Sequence, residues 1–62
     1  MKKYHIALKS NPVAHYIIIA KNTGQAWDKL AHRVGYGSFG RWCEMINQTK
    51  DENKSRFTIE VM

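Results

Sequence analysis

Sixty-two residues make one domain, 1–62, and a chain this short buries only about 60% of the surface its unfolded form exposes, so its core is thin. Ten Lys and Arg stand against five Asp and Glu, giving +5, a field that favours anionic partners such as nucleic acid or an acidic protein surface. One cysteine excludes an internal disulfide framework and suits a cytoplasmic setting. The longest uncharged apolar run, Tyr16–Ala20, is far short of the roughly 20 residues that span a bilayer, and the start MKKYHI carries no apolar stretch of a secretory leader.

Lys3 to Lys9 alternates, with Tyr4, Ile6 and Leu8 on one face and Lys3, His5, Ala7 and Lys9 on the other, which is the period of a half-buried strand. Asn11 and Pro12 then form a turn-initiating pair. Tyr16–Ala20 is a second strand, β-branched at three consecutive positions, and the two strands make a hairpin. With a loop of residues 10–13, Tyr4, Ile6, Leu8, Ile17 and Ile19 fall under the helix that follows. Tyr16 and Ile18 then join His5 on the opposite face. One residue of slip reverses this assignment.

Asn22 or Thr23 caps the helix, with Gln25 where a reciprocal partner of Asn22 would sit. Ala26, Trp27, Leu30, Ala31 and Val34 form one stripe at the 3.6 period, and Gly35 ends it. Phe39, Trp42, Cys43 and Ile46 repeat the helical spacing, with Ser38 as cap and an end near Gln48. Residues 49–55, TKDENKS, are polar without periodicity and read as a solvated connection. Arg56–Met62 alternates again as a third strand, with Phe57, Ile59 and Val61 on one face and Arg56, Thr58, Glu60 and Met62 on the other. The predicted architecture is a small single-domain α+β fold, β-β-α-α-β, with a three-stranded sheet and helices packed on one face. The last strand is parallel to the first if the two helices pack antiparallel, and antiparallel if residues 36–50 are mostly loop.

Gly35, Gly37 and Gly40 match G-x-G-x-x-G, but the motif follows a helix rather than a strand and no room remains for a nucleotide-binding βαβ unit. The glycines are read instead as a helix cap and a turn toward Ser38. Tyr36 and Phe39 lack the spacing and the strand context of an RNA-recognition motif and are expected as lids over Trp27 and Trp42. His5, His15, His32 and Cys43 share no short metal-ligand spacing, and Cys43 sits on an apolar stripe as a small hydrophobe. No base lies near Cys43 in sequence; Asp28 and Glu44 fall on helix faces, and Asp51 and Glu52 in the connection. Neither an enzyme nor a bound cofactor or metal is expected.

The open sheet face carries the functional expectation. Tyr16, Ile18 and His5 form an apolar and aromatic centre for a protein partner, and the sheet edges are open to strand addition and to a homodimer. Lys3, Lys9, Lys29, Arg33, Arg41 and Arg56 are the candidate nucleic-acid contacts, as phosphate ligands beside stacking side chains. The first reading is a small regulator or inhibitor, suited in size and charge to a phage or other mobile element, that occupies a partner protein's surface. The second is a basic nucleic-acid-binding protein.

Overall fold

In the computed structural model, which describes residues 1–62, the chain forms β1 (Lys2–Leu8), β2 (Asn11–Ala20), α1 (Thr23–Arg33), α2 (Phe39–Met45), α3 (Lys50–Lys54) and β3 (Phe57–Val61). The sheet order is β2-β1-β3, with β1 antiparallel to both neighbours. The expected α+β architecture is present, with one helix more than the sequence pattern indicated.

Short polar side chains set each helix start. Asn22 Oδ1 accepts from the Gln25 amide at 2.8 Å, which satisfies one orphan donor of the first turn, and Gln25 Oε1 reaches back to the amide of Lys21, the residue before the cap, at 2.7 Å. Ser38 Oγ accepts from the Arg41 amide at 3.1 Å and caps α2. Asp28, on α1, adds a second acceptor there by taking the Phe39 amide at 2.9 Å, which ties the two helices together. The ends are equally regular. Gly35, with φ 103, closes α1 while the Tyr36 amide bonds Ala31 O at 2.9 Å; Asn47, with φ 57, does the same for α2 while the Gln48 amide bonds Cys43 O at 3.0 Å.

Residues 50–54 correct the solvated connection expected over 49–55. Thr49 and Glu52 make a reciprocal capping box, Glu52 N–H to Thr49 Oγ1 at 3.1 Å and Thr49 N–H to Glu52 Oε1 at 2.9 Å, and this starts α3. Accepting the Thr49 backbone N–H, and secondarily bonding the Thr49 side chain, holds the Glu52 carboxyl below its ordinary value. With α3 added between α2 and the last strand, β3 runs antiparallel to β1, the second of the two orientations the sequence left open.

The core lies between one sheet face and the helices. Tyr4, Ile6, Ile18 and Ala20 meet Ala26, Trp27, Leu30 and Ala31 of α1, and Phe39, Trp42, Cys43 and Phe57 complete it. Aromatic rings fill its second half. Trp27 and Phe39 lie 5.4 Å apart between centroids, Phe39 and Trp42 meet edge to face at 5.7 Å, and Tyr36 stacks on Trp42 at 5.9 Å, as lids over the two tryptophans. Asn53 is the one buried polar side chain, at 0% exposure.

The hairpin register departs from the expected one. Pairing runs Tyr4↔Ile18, His5↔Ile17, Ile6↔Tyr16 and Ala7↔His15, then jumps to Leu8↔Asn11, leaving residues 12–14 as an irregularity on the β2 side. The regular ladder ends at Ala7↔His15 and the chain turns at Lys9 and Ser10, so the pairing is offset by one position from the one a loop of residues 10–13 gives. That slip of one position inverts β2: Tyr16 and Ile18 face the helices, Ile18 at 3% exposure, while Ile17 and Ile19 face outward at 39% and 52%. Ile18 is thus a core residue and Tyr16, half-buried, packs against the core; neither is the centre of the open face.

Candidate binding surface on the open sheet face

The register builds this surface residue by residue. Side chains alternate across a strand, so with Tyr4 and Ile6 in the core, Lys3, His5 and Ala7 of β1 project to the uncovered side. Their β2 partners there are Ile19, Ile17 and His15 in turn. On the other flank Glu60 stands across from His5 and Thr58 across from Ala7. Ile17 and Ile19 therefore form an apolar pair on the β2 margin, with Lys3 and His5 beside them on β1 and Thr58 and Glu60 on β3.

His5 and His15 meet on the diagonal of this grid with ring centroids 5.5 Å apart, and His15 Nδ1 lies 3.0 Å from Val13 O, a contact that fixes the ring. The two imidazoles are thus a pair. No group of three or more His, Cys, Asp or Glu side chains converges anywhere in the fold. His32 is exposed on α1, and Cys43 is buried with its Sγ 3.5 Å from Asn53 Nδ2. The three glycines of the nucleotide-like pattern part company: Gly35 ends α1, Gly37 lies between the helices, and Gly40 is inside α2.

The six cations expected to contact phosphates are not gathered on one surface. Lys3 lies on the open face, and Lys9 follows β1 at its end, its amide bonded to Arg56 O at 2.9 Å. Lys29 Nζ donates to Ile19 O at 2.6 Å, and Arg33 Nη2 reaches Ile17 O at 3.5 Å, so both α1 cations turn onto the outer edge of β2. Arg41 is exposed on α2. Arg56 leaves the alternation expected for β3: its guanidinium lies 5.7 Å from the Trp42 ring and 5.3 Å from the Phe57 ring and donates to Asn53 Oδ1. It belongs to the helix side, not to the open face.

Sequence reasoning missed Ile17 and Ile19 as the outward pair, because a strand apolar at every position offers no alternation to orient it. It also missed the blocking of the β2 edge. The signal for that lay in Lys29 and Arg33, spaced one helical turn apart on the polar side of the helix that packs on this strand. A shallow cleft of about 170 Å³ between α1, α2 and α3 is lined by Gly24, Trp27, Asp28, Phe39, Lys50 and Lys54, and Asp28 in it is engaged by the Phe39 amide. No family model, curated protein or solved structure matches the chain.

Proposed function

We propose that this chain is a non-enzymatic binding protein that acts by occupying a partner protein's surface through its open sheet face. The carrying observation is the pair Ile17 and Ile19, adjacent on one strand face, 39% and 52% exposed, with Lys3 and His5 directly beside them. Full burial of such a side chain is worth about 1.5–3 kcal/mol, and an apolar centre rimmed by polar groups is the anatomy of a protein interface. The +5 charge favours a partner whose surface is acidic around an apolar contact. A small cytoplasmic regulator or inhibitor carried by a phage or other mobile element is the role this reading suits.

The net charge, with Lys3 on the same face as His5, keeps nucleic-acid binding as the second reading. Against it weighs the use of Lys29, Arg33 and Arg56 within the fold. A photo-crosslinking side chain at Ile19, with Glu44 on α2 as control site, separates the two in nuclease-treated lysate over a range of salt. The protein-surface reading expects a discrete protein adduct from position 19 only, persisting as salt rises and lost in Ile17→Asp. Adducts to nucleic acid alone, weakening steeply with salt, would replace it with the second reading.

A further inference from the structure

The two edges of the sheet are treated differently. In an antiparallel ladder, alternate residues turn both main-chain groups toward one neighbour and the rest turn away. Lys9 N–H bonds Arg56 O at 2.9 Å and Met62 N–H bonds Lys3 O at 2.7 Å, so the even positions of β3 face β1. The N–H and C=O groups of Phe57, Ile59 and Val61 therefore point to the free edge. On β2 the same alternation turns out those of Ile17 and Ile19, and there Lys29 and Arg33 occupy both carbonyls. No side chain donates to or accepts from β3. One edge is guarded against strand addition and the other is open.

We propose that β3 pairs antiparallel with β3 of a second copy about a two-fold axis at Ile59, joining the two sheets into one. This surface is distinct from the open face and does not depend on its occupant. The identity of the partner follows from the strand itself: FTIEV is apolar at 57, 59 and 61 and polar between, and so reads alike in both directions. Centred on Ile59, Phe57 pairs with Val61 of the second copy, Ile59 with Ile59, and Thr58 stands across from Glu60. Every outward main-chain group of the strand then finds a partner.

Neighbouring registers fail. Centring on Glu60 sets the two Glu60 carboxylates face to face. Centring on Thr58 draws Ser55 into the ladder, although it is held at φ −66, ψ −14 as the cap of α3, and pulls on Arg56, which is clasped to Asn53. The Ile59 register also accounts for Val61, 61% exposed on the helix-covered side of the sheet, which it places beside Phe57 of the second copy. Added burial is what a domain of this size lacks.

A chain of 62 residues is accessible to chemical synthesis, so the donor itself can be removed. N-methylation of the Ile59 amide takes away no bond within the fold, and circular dichroism checks that the fold persists. In sedimentation equilibrium the parent is expected to move from monomer to dimer mass over a series reaching millimolar concentration. N-methyl-Ile59 should weaken that association at least about tenfold, since symmetry removes the bond twice, while N-methyl-Ile19 leaves it unchanged. Amide exchange at Ile59 should slow as the parent is concentrated. A parent that stays monomeric throughout, an N-methyl-Ile59 chain that associates like the parent, or a dimer lost instead in Ile17→Asp would each overturn the proposal.

Discussion

Arg56 closes its guanidinium on the buried amide of Asn53, donating to Oδ1 through Nε at 3.1 Å and through Nη2 at 2.7 Å. The other end of that amide points to Cys43 Sγ at 3.5 Å. Asn53 thus links α3 to α2 and to the start of β3, and Asn53→Ala should cost about 2 kcal/mol, a small cavity plus the lost hydrogen bonds, while the exposed guanidinium turns to water. Arg56→Lys should not substitute, because an ammonium neither forks onto one oxygen nor lies flat over Trp42 and Phe57. Urea denaturation of the single and double alanine variants checks the pairing: a coupling energy near zero would mean the two side chains act separately.

The glycines of the G-x-G-x-x-G stretch should respond unequally. Gly35 holds φ 103 at the end of α1, while a Cβ built there meets nothing within 4 Å, so the penalty of Gly35→Ala is one of backbone conformation alone. About 1–2 kcal/mol is expected. Gly37 has equally open space and no such φ, so Gly37→Ala should stay within about 0.5 kcal/mol. Thermal melts of the two variants distinguish this from a phosphate-cradling loop, in which both glycines would matter for binding and neither need matter for folding.

Local signals carried most of the fold into view. Tyr4 and Ile6, then Phe57, Ile59 and Val61, show the period of a strand. Ala26, Trp27, Leu30 and Ala31 show that of a helix, because in each a single face meets the core. Helix α3 escaped because its one buried side chain is Asn53, a polar residue to which hydrophobic periodicity is blind. Its start was nevertheless written in Thr49 and Glu52. The orientation of β2 could not be read locally at all. Tyr16 to Ile19 is apolar on both faces, so the decision passed to residues 12–14, whose irregular pairing is a property of the assembled hairpin. The candidate surface inherited that ambiguity, which is why its centre lies at Ile17 and Ile19.

Glu52 gives α3 a dependence on pH. Its carboxyl is held below the ordinary value by the Thr49 backbone N–H first and the Thr49 side chain second. A group depressed in the folded state stabilises it above the unfolded value, and that contribution fades as pH falls through the folded value. The Thr49 and Glu52 amides should therefore shift together in an acid NMR titration, with α3 fraying before the sheet. Glu52→Gln keeps an acceptor but removes the titration, so a transition that survives in this variant would place its origin elsewhere.

Lys29 and Arg33 should prove more important for solution behaviour than for stability. Both are exposed, so Lys29→Ala with Arg33→Ala is expected to cost no more than about 1 kcal/mol. It also uncovers the Ile17 and Ile19 carbonyls along an edge that carries two exposed isoleucines. With both sheet edges open, association should continue past a dimer, seen as light scattering that grows with concentration and time. A double variant that sediments as the parent does would remove the edge-guarding role from these two residues.

The inverted register of β2 makes the sharpest demand on neighbouring residues. Ile18 is 3% exposed against Tyr4 and α1, so Ile18→Ala should cost about 2–4 kcal/mol through lost burial and the cavity left behind. Ile17→Ala and Ile19→Ala remove partly solvated methyl groups and should each cost less than about 1 kcal/mol. Aspartate widens the contrast. Ile18→Asp places a carboxylate without a partner in the core and should not fold, whereas Ile17→Asp and Ile19→Asp should fold and lose partner binding. Denaturation midpoints of this alternating series read the register directly, since hairpin pairing slipped by one residue would exchange the severe and the mild positions along the whole strand.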